Sequence, residues 1–209
     1  LMWPGTRALN LNSGWSEFLP AFVDNEILST GYWDGIFYDE VQDSISWVGD
    51  VDVNQDGKND STRTADALWE TSYEELFERT REMIGDDYIM ITNGSSNPDF
   101  APFVNGRMFE TFPSSDNTLA EWKNMTDQYL KLEEAVGYES IQVLNVNTQN
   151  IGDNDDYKKI RFGITTTLLG NGYFAFDYGT ENHAQLWTYD EYGVFLGAPK
   201  GDLQNTLNP

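Results

Sequence analysis

The chain has 209 residues, 35 acidic side chains against 12 basic ones and a formal net charge of −23, and it is 39% hydrophobic and 14% aromatic. That is enough apolar material for one sizeable core, so the sequence is no disordered acidic tail, while its charge repels phosphate backbones and anionic lipid and disfavours nucleic acid and membrane surfaces as partners. The absence of cysteine excludes disulfides, thiolate metal sites and a cysteine nucleophile, and the single histidine, His183, argues against a His-rich zinc site or a Ser-His-Asp triad.

The predicted elements alternate along the chain. Thr6 to Asn10 is a short strand candidate. Ser16 to Thr30 reads as a helix, because Phe18, Leu19, Phe22, Val23 and Ile27 recur near helical spacing, and Gly31 stops it. Gly35 to Val41 is a strand rich in branched and aromatic residues. An acidic loop follows from about Gly49 to Thr62, then a long helix from Ala65 to Ile84 with Leu68, Trp69, Tyr73, Leu76, Phe77 and Met83 on one side. Asp87 to Thr92 and Arg107 to Phe112 are strands, and Leu119 to Val136 is a helix closed by Gly137. Ser140 to Val146 is a strand, Tyr157 to Leu169 a helix and Tyr173 to Tyr178 the last strand, followed by an aromatic, irregular tail. No apolar run of about 18 residues is long enough to cross a membrane.

Strands alternating with helices indicate a parallel α/β fold. Polar residues recur at the strand C-terminal ends: Asn10, Asp39, Asn93, Glu110, Asn145 and Asp177. In a (β/α)8 barrel of the TIM type that end carries the active site. The sequence supplies about six of the eight strand–helix units, and the expectation is one partial barrel domain over 1–209 that lacks its first two units. An open α/β sheet is the alternative, but no Gly-rich nucleotide fingerprint accompanies it.

Gly35, Phe37 and Asp39 share one face at period two, which turns Glu40 away, and Glu110 likewise follows Met108. If Asp39 and Glu110 converge at a barrel mouth, they form the carboxyl pair that glycoside hydrolysis requires: one attacks the anomeric carbon or orients water, the other donates a proton to the leaving oxygen. Asn10, Asn93, Asn145 and Asp177 are the candidates for holding sugar hydroxyls. Among seven tryptophans, Trp33 before its strand and Trp187 in the tail are the candidate stacking platforms for a sugar ring.

Asp50 to Asp60 reads DVDVNQDGKND, an insertion at about 50–62. With Asp52 at position one, Asn54 falls at three, Asp56 at five, Gly57 at six, the Lys58 carbonyl at seven and Asp60 at nine, as in an EF-hand-type Ca2+ loop. Position twelve is Arg63 instead of a bidentate Glu, so the loop needs a further carboxylate such as Asp66. The loop resembles those of secreted bacterial proteins such as dockerins. A structural calcium ion is therefore expected, and with it an extracellular or cell-surface location, where millimolar calcium fills such sites.

The strand motif WDGIFYDEV, the strand end MITNG, the segment FGITTTLLGNGYFAFDYG and the ending WTYDEYGVFLGAPKG together resemble the hypothetical glycosyl hydrolase-like family numbered fifteen, which is unrelated to the glucoamylases of that number. The resemblance runs from about Trp3 to Gly201. Asp34, Gly35 and Asp39 are also similar to the strand motif of galactosaminidase-type and other α-glycoside-cleaving barrels. The resemblance implies a TIM barrel in which Asp39 ends the fourth strand as nucleophile and Glu110 ends the sixth as acid/base.

The leading expectation is an exported glycoside hydrolase acting on a polysaccharide or oligosaccharide. A non-catalytic carbohydrate-binding, structural or filament module on the same scaffold, with self-assembly or a missing N-terminal segment, is the second. A metal-dependent phosphate or ester hydrolase is the third.

Overall fold

A computed structural model describes residues 8–114, 116, 118–137, 140–198 and 201. It is an α/β protein with five strands and four α-helices among these residues, and it divides into two compact units, Leu1–Arg107 and Met108–Pro209.

The first unit opens with α1 (Trp15–Phe22), which continues as a π-helical segment Val23–Ile27 and a 3-10 turn Leu28–Thr30. The uninterrupted helix predicted over Ser16–Thr30 is thus divided, and Pro20 gives the reason. It lies inside α1 without an N–H to continue the ladder, and the Val23 N–H turns to both the Leu19 and Pro20 carbonyls as the wider helix begins. Of the strand expected over Thr6–Asn10, residues 8–10 are irregular and Thr6 and Arg7 lie outside the described residues.

β1 (Gly35–Val41) and β2 (Ile89–Gly94) pair in parallel, from Gly35 opposite Ile89 to Tyr38 opposite Thr92. Between them runs α2 (Thr62–Ile84), capped at its start by the Ser61 side chain, which accepts from the Thr64 N–H. Its buried positions, Ala65, Trp69, Ser72, Tyr73, Leu76, Phe77, Thr80 and Ile84, recur at three- and four-residue intervals, so one stripe faces the core. Met83, expected on that stripe, is exposed. Arg81 fastens the end of the helix to the approach of β2 by donating to the carbonyls of Phe103, Gly85 and Tyr88 and to Asn105 Oδ1. The core gathers Val41, Ile45, Val53, Trp69, Tyr73, Leu76, Phe77, Met90 and Phe100.

β3 (Gly106–Phe109) runs across the boundary between the units, and in the second unit it pairs in parallel with β4 (Val143–Asn147), which pairs in parallel with β5 (Tyr173–Asp177). α3 (Leu119–Val136) starts with a reciprocal cap: Thr118 Oγ1 accepts from the Glu121 N–H, and the Glu121 carboxylate accepts from the Thr118 N–H. α4 (Tyr157–Thr167) starts at Asp156, whose side chain accepts from the Lys159 N–H. The second core is built from Phe109, Phe112, Tyr129, Leu132, Leu144, Val146, Ile160 and Phe176.

β3 is shorter than the predicted Arg107–Phe112. Thr111 has φ of 55°, a left-handed conformation that ends a strand, so Glu110 stands just beyond β3 and not within it.

Candidate functional site

In the second unit, side chains from the C-terminal ends of three strands form one hydrogen-bonded chain. Asn145 on β4 donates from Nδ2 to Asp177 Oδ2 on β5 at 3.0 Å. The Asn145 backbone carbonyl accepts from the Phe112 N–H at 2.8 Å, which fixes the turn after β3 that carries Glu110. Asn147 donates to Thr111 Oγ1 at 3.2 Å in the same turn. These asparagines are buried, and a buried amide is tolerable only with its donors and acceptors engaged.

β5 ends at Asp177, and the chain then reverses. The Asn182 N–H donates to the Gly179 carbonyl at 2.9 Å, and the Tyr178 N–H to Gln185 Oε1 at 3.0 Å. Gly179 has φ of 135°, and a Cβ there would stand 2.5 Å from Asn150 Oδ1, so this reversal requires glycine. The turn returns His183 to the strand end. Its Nδ1 lies 2.8 Å from Asp177 Oδ2 and its Nε2 lies 3.4 Å from Glu110 Oε1. The other Asp177 oxygen, Oδ1, is buried with no hydrogen-bond partner among the described residues. The hydrogen bond with Asp177, foremost, and the negative charges of Asp177 and Glu110 raise the imidazole pKa above its ordinary value, against the opposing effect of burial.

His183 is the residue that sequence reasoning missed. Composition speaks of it only as a metal ligand or triad member. The available signal was its position, six residues beyond the strand-end Asp177, in a chain with no other histidine.

In the first unit, Asp39 and Asn93 come together at the ends of β1 and β2: Asn93 Nδ2 donates to Asp39 Oδ1 at 3.0 Å. The same oxygen accepts from the Glu40 N–H at 2.9 Å. Glu40 itself has φ of 58°, and the β1–β2 register shifts between Tyr38 and Val41. Its carbonyl accepts from the Tyr73 hydroxyl, so this irregularity is pinned by α2. Asn10 donates to the Val53 carbonyl at 2.8 Å and accepts from the Asn12 N–H, which ties the start of the unit to the acidic loop. Trp33 is exposed at 61%, whereas Trp187 in the second unit packs its ring against Phe176 at 5.7 Å.

The acidic loop curls around its own first carboxylate. Asp52 accepts from the Asp56 N–H and, at 2.9 Å, from the Gly57 N–H. Asn54 accepts from the Asp56 N–H, Asp56 from the Lys58 N–H, and Asp60 from the Val53 N–H and the Asn54 amide. Asp66, the candidate additional ligand, instead accepts from the Ile45 and Ser46 N–H groups and the Ser46 hydroxyl. Elsewhere in the first unit, Glu70, Glu74 and Asp99 bring carboxylate oxygens within 4.8 Å of one another, and Glu70 accepts from the Asn97 amide.

A family model described as hypothetical glycosyl hydrolase family 15 matches residues 1–208. No curated protein matches the chain.

Proposed function

Because the chain belongs to hypothetical glycosyl hydrolase family 15, we propose that it hydrolyses glycosidic bonds of a polysaccharide, using carboxylates at strand C-terminal ends on a scaffold of the (β/α)8-barrel type. One observation supports this reading above the others. Glu110, just past β3, stands with the Asp177–His183 pair past β5 in a site that water can reach, its side chain 33% exposed. Glycosidic cleavage needs a proton at the leaving oxygen and negative charge near the anomeric carbon, and carboxyl groups supply both.

Glu110 is assigned the proton exchange with the leaving oxygen. Asp39, oriented by Asn93, is assigned the stabilisation of, or attack on, the anomeric carbon. Asn93 contributes polar contacts to hydroxyls. Asn145 and Asp177, expected from the sequence in that role, brace the strand ends through their mutual hydrogen bond. The exposed face of Trp33 suits stacking on a sugar ring. The assay is reducing-end release from a panel of glycans. Glu110→Gln and Asp39→Asn are each expected to lower turnover at least ~100-fold with an unchanged circular dichroism spectrum. Glycan binding without any release, equal in the wild type and both variants, would sink the hydrolase reading and leave a binding module.

We also propose that Asp52, Asn54, Asp56, the Lys58 carbonyl and Asp60 take a structural calcium ion, in keeping with an extracellular protein. The alternating oxygen donors and the turn at Gly57, with φ of 85°, support this. Its role there is to neutralise clustered carboxylates and fix the loop between β1 and α2. The readout is calorimetric calcium binding, expected in the wild type and weakened at least ~10-fold by Asp52→Asn.

A further inference from the structure

We infer that Glu110 and His183 hold one exchangeable proton between them as a single unit, with Asp177 as the positioning residue that fixes the imidazole. The use of that proton rests on the hydrolase reading above. The existence of the unit rests on three side chains of the second unit alone.

The hydrogen-bond inventory forces the assignment. Asp177 Oδ2 accepts from the Asn145 amide at 3.0 Å and faces His183 Nδ1 at 2.8 Å. A carboxylate only accepts, so Nδ1 carries the hydrogen and donates it. A neutral ring protonated at Nδ1 has a bare lone pair at Nε2. That lone pair would face Glu110 Oε1 at 3.4 Å. Two lone pairs at this distance repel, so the arrangement holds when a proton lies between them. It is then either an imidazolium beside a carboxylate or a neutral imidazole beside a carboxylic acid. These are two forms of one protonation state, and the proton belongs to the pair.

The charged groups facing the imidazole are Asp177 from β5 and Glu110 from the end of β3. Both are acidic and both favour the charged ring. The imidazolium beside the two carboxylates is therefore the favoured form of the pair. The pair therefore keeps its proton to higher pH than an isolated imidazole does.

The spacing also decides what the two groups are not. The two carboxyl groups that flank a glycosidic bond stand about 5–5.5 Å apart where one is the nucleophile and about 6.5–9.5 Å apart where one is a general base. Glu110 and His183 are too close for that and act on one side of the reaction. In the donor step the Nε2–H bond breaks, the proton passes to Glu110 and on to the leaving oxygen as the glycosidic C–O bond breaks. The unit is left as neutral imidazole and carboxylate. It regains a proton from the water that supplies the new hydroxyl. The site thus draws the proton it donates from the neighbouring imidazole.

His183 is the sole histidine, so one imidazole titrates in a long-range 1H–15N NMR spectrum of the intact chain. The titration runs from about pH 4 to 9 in wild type, Glu110→Gln and Asp177→Asn. The expected results are a wild-type midpoint above about 6.5, a neutral form protonated at Nδ1, and a midpoint lowered by about half to one unit in Glu110→Gln. A Glu110→Gln midpoint equal to wild type, with the fold intact by circular dichroism, overturns the inference, as does a neutral form protonated at Nε2. Glu110 is partly exposed, so this variant decides the matter even where Asp177→Asn fails to fold. No substrate is needed, so the outcome is independent of the hydrolase reading. Where glycan hydrolysis is found, its alkaline limb is expected at the His183 midpoint and at least ~1 pH unit lower in His183→Asn. An unmoved limb overturns the use of the proton.

Discussion

The imidazole of His183 has a carboxylate on each nitrogen, and this fixes the sign of its contribution to stability. The folded protein raises its pKa above the unfolded value of about 6.5. The contribution is therefore fully present below about pH 6.5 and is lost as pH rises through the folded value. The side chain is 44% exposed, so the pairing is screened by water and salt. The difference in Tm between wild type and His183→Asn should be widest near pH 6 and shrink by about pH 9. A gap of constant size would mean that folding leaves the imidazole pKa unchanged. The individual members of this cluster differed in legibility. Glu110, Asn145 and Asp177 stood out as polar residues after apolar strands. His183 did not, because its proximity to Asp177 is created by a chain reversal at Gly179, and no periodicity encodes that.

Among the elements, α4 depends most visibly on close packing. A Cβ at Gly163 would lie 2.3 Å from Phe174 Cε2 and 2.8 Å from Val146 Cγ2, so this face of the helix lies directly against β4 and β5. Gly163→Ala should destabilise the protein by about 1–3 kcal/mol through overpacking, despite the better helix propensity of alanine. Urea denaturation measures it, with the exposed Thr165→Ala as a control expected within about 0.5 kcal/mol of wild type. An unchanged urea midpoint in Gly163→Ala would mean that the helix has room to shift outwards. The ends of β1 and α3 agree with the sequence reading to the residue. In both, local chemistry coincides with packing: a compact apolar run in one, a Thr118–Glu121 cap and a terminal Gly137 in the other. Two of the departures trace to backbone events, Pro20 in α1 and the positive φ of Thr111 after β3.

On the scale of the whole molecule, the net charge of −23 dominates. Like charges repel in the compact state, and few cations offset them. The ion pairs Arg79–Glu17 and Lys123–Asp127 join exposed side chains and Arg161–Glu191 joins an exposed arginine to a partly buried carboxylate, and pairs so open to water contribute little. Sodium chloride should therefore raise Tm as screening shortens the reach of the repulsion to about 8 Å near physiological ionic strength. Calcium at equal ionic strength should raise it further, with chelator reversing only the added increment. Equal effects of the two salts would speak against a specific site at Asp52–Asp60 and leave only general screening.

The alternation of strands and helices, the excess of acidic residues, the family and the polar character of the strand ends are legible in the amino-acid sequence. All of these are local or compositional properties: the side-chain period, the cap residues and the charge count are written along the chain. That Asn145 holds Asp177, that Asp177 holds His183 and that His183 faces Glu110 is visible in the folded chain alone. Those partners come from separate strands and a turn, and their meeting depends on parallel register and on the path of the backbone between them, which pairwise spacing in sequence does not contain.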